Sequence, residues 1–345
     1  MKFESDIWIR SVAAWFPPRR ETAAGALAAG RIDADSLSQT GIVAVHVAED
    51  TTAPEMAVRA ANIALERAEC KPDEVDVLIH AWIYYQGYDL WSPPHYIANQ
   101  LGTTSALPMS VHQGCDGGAI ALQQAAIRLA AVPGERTALI TAADRFAEPA
   151  IDRWNCQRVL VLGDSGTAIV LSTSGAGPTP FRLEAMRTRT TVEFEVMSRG
   201  FSSFSDYPLA AGIPLDGRFI SDEGLARVGN DAFYATARSQ VRTLILETLE
   251  EAGLTDIGTQ LHVITLPRLG NASLEAIYYP VVESFIGAQK IRFDAMTGHL
   301  ACCDLAADMN DLYENSIVPP GKYAAMITVG GGMTWACAVL RACEY

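Results

Sequence analysis

The amino-acid sequence predicts an α/β protein whose two halves repeat a similar order of strands and helices. Short apolar segments alternate with segments of helical spacing, and this alternation runs through the chain twice. The densest Gly/Pro cluster in the middle of the chain, Ser174–Pro180, separates the two rounds. We therefore predict domains over residues 1–174 and 181–345, each with a parallel-rich sheet covered by helices on both faces.

In the first half, apolar residues at three- and four-residue spacing predict helices over Pro54–Cys70 and Asp116–Ala131. Short, nearly continuous apolar runs predict buried strands. The predicted strands are Val75–Trp82, Leu107–Gln113, Arg136–Asp144, Val159–Leu162 and Thr167–Ser172, the last two joined by the turn Gly163–Gly166.

In the second half, a long helix is predicted from about Val228 to Ala252, and further helices from Asn271 and after Gly298. The predicted strands are Leu261–Leu266, Tyr323–Val329 and Met333–Arg341, the last two joined by Gly330–Gly332. The second half repeats the order of strands and helices in the first half, although more loosely. This repetition suggests a pseudo-duplicated sandwich.

Composition limits the class of protein. Of 345 residues, 49% are hydrophobic and 19% are charged, which fits about two globular domains. The net charge of −14 argues against nucleic acid or an anionic membrane as a partner. No apolar run reaches 18 residues, and Met1–Ile9 carries acids without the apolar stretch of a signal peptide. The seven cysteines show no C-x-x-C or metal spacing, so we expect reduced thiols, no metal site and a cytoplasmic location.

The segment Gln113–Gly118 (QGCDGG) is the first candidate for chemistry. It places Cys115 between an apolar strand and a long helix, where backbone N–H groups and the helix dipole favour a thiolate. The two following glycines are expected to let a substrate approach the backbone closely. The alternative is a small buried cysteine at a tight turn.

Two further segments are candidates. In Thr297–Asp304 (TGHLACCD), His299 could act as a general base that Asp304 orients, the alternative being a structural core histidine. Cys302 and Cys303 are interpreted as packing residues. The glycines Gly330–Gly332 could present N–H groups to an oxyanion, although a plain hairpin turn explains a triple glycine equally well.

Together, the segments resemble one family. The GC-x-G-G pattern around Cys115, GDSGTA at Gly163–Ala168 and GGGMTW at Gly330–Trp335 are similar to the ketoacyl-ACP synthase III branch of the thiolase superfamily, over about Ile9–Arg341. This resemblance implies a duplicated thiolase fold with α/β/α/β/α layers, a homodimer and acylation of Cys115. It also implies an oxyanion hole formed by the backbone N–H groups of Cys115 and Gly331.

The chain departs from the condensing members of that family at two places. Those members carry a histidine in a P-H-Q-A-N motif and an asparagine in G-N-T-S, where this chain has Arg268 and His299. The family pair stabilises the enolate formed when a malonyl thioester loses carbon dioxide, so its absence argues against condensation. The remaining set, Cys115, His299 and Asp304, resembles synthase III-like acyltransferases of antibiotic and other polyketide pathways. These transfer an acyl group from a carrier-protein, CoA or similar thioester to a hydroxyl or amine.

We therefore predict an acyltransferase in which a carrier-protein or CoA thioester acylates Cys115 and His299 deprotonates a small-molecule acceptor. Asp304 would hold the histidine tautomer and stabilise imidazolium. No cofactor is expected apart from the phosphopantetheine or CoA of the donor. Two alternatives remain: a decarboxylating condensing enzyme that uses His299, and a catalytically silent subunit of a thiolase-fold heterodimer, against which the retained Cys115 argues.

Five further residues are predicted to contact substrate: Tyr84, Trp91, Arg153, Arg268 and Asn271. Tyr84 and Trp91 belong to an aromatic cluster that could line the acceptor or acyl pocket, with packing in a dimer as the alternative. Arg153 could contact a donor phosphate, although charged residues are more often simply solvated.

Overall fold

The computed structural model describes residues 2–158, 160–200, 203–209 and 212–343. The strands within these residues are β1 (Lys2–Trp15), β2 (Arg20–Thr22), β3 (Ala44–His46), β4 (Val77–Ala81), β5 (Leu107–Val111), β6 (Thr137–Asp144), β7 (Ser165–Ser172), β8 (Phe181–Thr190), β9 (Leu261–Thr265), β10 (Gln289–Ile291), β11 (Tyr323–Gly330) and β12 (Thr334–Ala342).

The α-helices within the same residues are α1 (Ala23–Ala28), α2 (Ala34–Thr40), α3 (Ala53–Arg67), α4 (Pro93–Leu101), α5 (Gly117–Ala131), α6 (Val196–Arg199), α7 (Gly217–Val228), α8 (Asn230–Glu251), α9 (Ile257–Gln260), α10 (Asn271–Ser273), α11 (Tyr279–Val282) and α12 (Asp304–Glu314). A π-helical turn, Leu274–Tyr278, joins α10 to α11. Short 3₁₀ turns occur at Pro72–Glu74, Val192–Glu195, Asp294–Met296 and Ala301–Cys303.

Ten strands form one sheet in the order β10-β9-β11-β12-β8-β1-β7-β6-β4-β5, and β2 pairs separately with β3. Counted outward from the β1–β8 pair, the halves have the same arrangement, β1-β7-β6-β4-β5 and β8-β12-β11-β9-β10. In each half the fourth strand runs parallel to its two neighbours, β4 to β5 and β6, and β9 to β10 and β11. The predicted duplicated α/β arrangement is therefore confirmed. The expectation of a separate parallel-rich sheet in each half is wrong, because the halves share one sheet and two of the four strand pairs within each half are antiparallel.

The sheet is covered on both faces. The largest hydrophobic core packs α5 and α12 against strands of both halves, including Ile9 of the first half and Met326 of the second. A second core lies between α3 and the other face of the first half, and a third lies between α8 and the second half. Strand β6 is buried along its whole length, which explains its continuous apolar sequence. No helix among the described residues combines the length and apolar character needed to span a bilayer.

Two local predictions differ from the structure. Of the predicted strand Val159–Leu162, Val159 lies outside the described residues, and the described remainder forms no strand beyond a single bridge from Leu162 to His299. The central strands β1 and β8 were not predicted, because their polar and apolar residues alternate and no continuous apolar run marks them. Of the proposed domain limits, residue 174 lies in the connection between β7 and β8, and residue 181 is the first residue of β8.

Candidate active site

Cys115 lies in the turn that leads from β5 into α5 and is partly exposed. Gly114 precedes it with φ = 56°, a left-handed conformation that glycine adopts without strain. The next glycines have a role that differs from the prediction. A Cβ atom on Gly118 would lie 2.1 Å from the carbonyl oxygen of Cys302, and one on Gly117 would lie 2.8 Å from the Cys302 sulfur. These glycines therefore admit the segment that follows His299, and not a substrate.

The second candidate residue, His299, is buried and close to an acid. Its Nδ1 lies 2.7 Å from Oδ2 of Asp304, the first residue of α12. The other carboxylate oxygen, Oδ1, accepts a hydrogen bond of 2.7 Å from the Leu300 backbone N–H. Asp304 is thus held by the same short segment that carries the histidine. The contact from Asp304 to Nδ1 is a close electrostatic contact and lies outside ideal hydrogen-bond geometry.

His299 also interacts with Cys115. Burial alone would lower the pKa of His299, but the negative charges of Asp304 and of a Cys115 thiolate oppose this effect and prevail. The pKa of His299 is therefore raised well above its usual range. With Nδ1 facing Asp304, Nε2 is left without a hydrogen-bond partner among the described residues. The structure thus brings together the three residues that the sequence predicted to act together.

The GDSGTA motif positions the histidine. The backbone N–H of His299 donates to the Val161 carbonyl (2.8 Å), and the Gly163 N–H donates to the His299 carbonyl (2.9 Å). Gly163 allows this approach, because a Cβ there would lie 2.0 Å from the Thr297 carbonyl oxygen. Gly298 has φ = 70°, and a Cβ there would lie 2.5 Å from the Val161 oxygen. The motif therefore fixes the loop that carries His299, a role the sequence analysis did not assign.

The glycine loop between β11 and β12 lies against the turn that carries Cys115. A Cβ on Gly114 would lie 3.1 Å from the backbone nitrogen of Gly331, and one on Gly330 would lie 2.7 Å from the nitrogen of Asp116. The loop is also a hairpin turn, in which the Met333 N–H donates to the Gly330 carbonyl. Ser198 of α6 accepts a hydrogen bond from the Gly332 N–H at 3.3 Å. Cys115 and Gly331 are therefore on adjoining segments.

Tyr84 lies beside the same site. Its backbone N–H donates to Oδ1 of the fully buried Asp144 (2.9 Å), whose pKa is raised to about 7 by burial, an effect that the hydrogen bonds from Tyr84 and Ile83 partly oppose. The Tyr84 ring is 5.9 Å from Phe146. Tyr84 and Cys115 both pack against an apolar cluster formed by Phe146, Ile151, Cys156, Leu162 and Ala301. This cluster supplies apolar surface next to the thiol.

Arg268 does not have the predicted position at the substrate. It is buried, with Nε donating to Asp308 and Nη2 to Asp311, each at 2.8 Å. Nη1 donates to the Thr297 hydroxyl at 2.5 Å. All three nitrogens are therefore engaged by the protein. The arginine links α12, which begins at Asp304, to the loop that carries His299.

Arg153, Asn271 and Trp91 also lie in settings that differ from the prediction. Both terminal nitrogens of the buried Arg153 donate to Asp164 at 3.1 Å, so this arginine supports the GDSGTA turn and does not present itself to a phosphate. The Asn271 side chain accepts from Arg292. The Trp91 ring packs on Tyr96 at 5.7 Å and remains partly exposed.

All seven cysteines are free thiols, and Cys302 and Cys303 are buried in the main core, as the sequence analysis interpreted them. Within the described residues no group of three or more His, Cys, Asp or Glu side chains is arranged to hold a metal ion.

Comparison with known proteins shows relatives along most of the chain. No protein-family model matches it. The β-ketoacyl-[acyl-carrier-protein] synthase III of Sulfurovum sp. is 23% identical over 317 residues, 88% of this chain and 86% of that protein. The enzyme of the same name from Oleidesulfovibrio alaskensis is 25% identical over 316 residues, 88% of this chain and 89% of that one.

Solved structures are also similar to this chain over nearly its whole length. ChlB3, described as an acyltransferase, superposes with a TM-score of 0.87 at 27% identity, covering 98% of both chains. The 3-oxoacyl-[acyl-carrier-protein] synthase III of Aquifex aeolicus superposes with a TM-score of 0.76 at 20% identity, covering 97% of this chain and 99% of that one.

The duplicated sheet is that of the thiolase fold, and the relatives along the chain support an enzyme of this fold that transfers or condenses acyl groups. Within that class, the chain is a ketoacyl-ACP synthase III-like protein of the thiolase superfamily.

Proposed function

We propose that this protein is an acyltransferase that moves an acyl group from a thioester donor, through an acyl-Cys115 intermediate, to a hydroxyl or amine of a natural-product scaffold such as a glycoside or aminocyclitol. The observation that carries the proposal is the 2.7 Å approach of Asp304 to His299 beside Cys115. An Asp–His pair of this kind suits proton removal from an acceptor. The structural similarity to ChlB3, which is described as an acyltransferase, also supports the proposal of acyl transfer.

In the first half-reaction, the Cys115 thiolate attacks the carbonyl carbon of the donor. The oxyanion that forms is stabilised by the backbone N–H groups of Cys115 and Gly331, which lie on adjoining segments. The carbon–sulfur bond to the donor then breaks, and protonated His299 gives its proton to the departing thiolate. The products are acyl-Cys115 and a free donor thiol.

In the second half-reaction, neutral His299 takes the proton from the acceptor hydroxyl or amine as that group attacks the thioester carbonyl. Asp304 stabilises the imidazolium that results. Collapse of the second tetrahedral intermediate releases the product and regenerates the Cys115 thiolate beside protonated His299. Acylation removes the thiolate charge that helps to raise the His299 pKa, so more of His299 is in the neutral form that can accept a proton once the acyl group is in place.

The donor in this proposal is a carrier-protein or CoA thioester, and the enzyme works in the cytoplasm as a homodimer. The edge strand β5 is paired on one side only and carries the exposed Leu107, which supports pairing with a second copy. Exposed Tyr88 and Trp91 belong to the neighbouring loop that precedes α4.

The second candidate function is decarboxylative condensation. The names of the relatives favour it, since they are β-ketoacyl synthases. Against it, Arg268 stands in the place of the family histidine and is engaged by Asp308, Asp311 and Thr297. His299 would then be alone in stabilising an enolate. A catalytically silent subunit is the third candidate, which the retained Cys115 next to His299 disfavours.

The test is intact-protein mass spectrometry after incubation with a panel of acyl-CoA thioesters that includes malonyl-CoA. We expect one acyl adduct on the wild-type protein and none on Cys115→Ala, followed by loss of the adduct on addition of a hydroxyl or amine acceptor with formation of an ester or amide. Release of carbon dioxide from malonyl-CoA with a carbon–carbon-bonded product would replace this proposal by condensation. Equal adducts on both proteins would exclude Cys115 as the nucleophile.

A further inference from the structure

Asp116, the residue after Cys115, is buried and has no role in the chemistry described above. Its Oδ1 accepts a hydrogen bond from the hydroxyl of Thr328, whereas its Oδ2 has no partner among the described residues. Burial raises the pKa of Asp116 to about 7, and the nearby Asp304 charge adds to this effect, which the Thr328 hydrogen bond partly opposes. A buried carboxyl group kept beside a reactive thiol is costly, so its position needs a reason.

The partner of Asp116 lies on the element that carries the second candidate oxyanion donor. Thr328 is in β11, three residues before Gly331, and is buried. Between them, Gly330 packs so tightly on Asp116 that an added Cβ would lie 2.7 Å from the Asp116 nitrogen and 2.8 Å from its Cβ. Asp116 is thus joined to β11 by a side-chain hydrogen bond and by backbone contact.

We propose that the Asp116–Thr328 hydrogen bond is a clamp that fixes the spacing between the backbone N–H groups of Cys115 and Gly331, and so positions the oxyanion hole. The two donors belong to different halves of the sheet: Cys115 precedes α5, and Gly331 follows β11. Their relative position therefore depends on contacts between the halves. Asp116 and Thr328 form such a contact, since Asp116 directly follows Cys115 and Thr328 lies three residues before Gly331.

The clamp matters because oxyanion stabilisation depends steeply on geometry. Removing a single donor typically lowers a rate about 10²–10³-fold, and a displacement of about 1 Å can cost about 10²-fold. Asp116 and Thr328 are positioning residues, because they act through the backbone of their neighbours. This role rests on the proposed acylation of Cys115, but it does not depend on which acceptor receives the acyl group.

The experiment compares two reactions of the same thiol. Acylation by p-nitrophenyl acetate passes through a tetrahedral oxyanion, whereas alkylation by iodoacetamide is a displacement at carbon that forms none. For Thr328→Val we expect acylation of Cys115 to be about 10- to 100-fold slower and alkylation to stay within about two-fold of wild type. Thr328→Ser keeps the hydroxyl and should restore the acylation rate.

Thr265→Val is the matched control, because Thr265 is a buried strand threonine whose hydroxyl has no partner among the described residues. It should leave both rates unchanged. If Thr328→Val does not fold, Thr328→Ala gives the same test, since it also removes the hydroxyl that donates to Asp116. The proposal is overturned if acylation proceeds at the wild-type rate in the folded variant, or if acylation and alkylation fall together. Failure of the acyltransferase proposal shows separately, as an acyl-enzyme that passes its acyl group to no hydroxyl or amine.

Discussion

Asp304 contacts His299 through one carboxylate oxygen and the backbone of the next residue, Leu300, through the other. The second contact fixes the carboxylate, so that the first holds a negative charge beside Nδ1 and favours a proton there. With Nδ1 protonated toward Asp304, Nε2 can exchange a proton with Cys115 or an acceptor.

Replacement of Asp304 by asparagine should block the second half-reaction. The amide oxygen can keep the hydrogen bond from Leu300, which turns the NH₂ group toward Nδ1 and favours the tautomer with a proton on Nε2. We expect removal of the acyl group by water to slow about 10²–10⁴-fold, measured by intact-mass decay of acyl-Cys115. Glu314→Gln is a control on the same helix, because Glu314 is partly exposed and pairs with Arg67. Unchanged decay in Asp304→Asn would contradict the role assigned to the carboxylate.

His299→Gln should shift the reactivity of Cys115 toward alkaline pH. The pKa of His299 is raised, so its positive charge persists to higher pH than that of an ordinary histidine and is lost as pH rises through the His299 pKa. Glutamine carries no charge, so alkylation of Cys115 by iodoacetamide should fall most at neutral pH and recover at high pH. Peptide mapping reports Cys115 separately from the other cysteines. Superimposable pH profiles for the two proteins would refute the ion pair.

Gly118→Ala should destabilise the fold. The new Cβ would lie 2.1 Å from the carbonyl oxygen of Cys302, and neither backbone can move without separating α5 from the His299 segment. Overpacking of this kind costs about 1–3 kcal/mol of unfolding free energy, measured by urea denaturation. Gly258→Ala is the matched control, because its nearest contact would be an ordinary 3.6 Å. Equal stability of the two variants would show that α5 can shift.

Arg268→Met should destabilise the protein more than the single substitution of a surface arginine. It leaves the buried carboxylate of Asp308 without its partner, and breaking a buried pair costs about 3–5 kcal/mol. The double variant Arg268→Met/Asp308→Asn removes the uncompensated charge and should recover part of the loss. Urea denaturation of the three proteins measures the effect. No recovery in the double variant would mean that the hydrogen bond to Thr297 matters more than the charge.

The predicted catalytic set could be found from sequence because its members lie in short motifs with few interpretations. Cys115 at a strand-to-helix turn and His299 with Asp304 five residues later each carry a local chemical signal. The substrate contacts could not be found in this way. Whether the guanidinium of Arg153 or Arg268 faces a ligand or a buried carboxylate depends on Asp164 and Asp308, which reach them only through the tertiary fold.

The strands likewise divide into those that a local sequence pattern predicts and those that it does not. β6 and β11 are continuous apolar runs because helices cover both faces, and both were predicted. β1 and β8 form the junction between the halves and alternate polar with apolar residues, a pattern that a search for apolar runs misses. The GDSGTA turn was recognised as a motif, but its contact with the His299 backbone joins positions more than 130 residues apart and leaves no local pattern.

Both halves of the chain, joined at the β1–β8 pair, contribute residues to this site. The nucleophile is contributed by one repeat, while the base, its acid and the glycine loop come from the other. A chain cut within Ser174–Pro180 would consequently yield two fragments that are each inert, with turnover appearing only on their reassociation. In such a fragment-complementation experiment, the rate of turnover would measure how much of the two fragments has associated correctly.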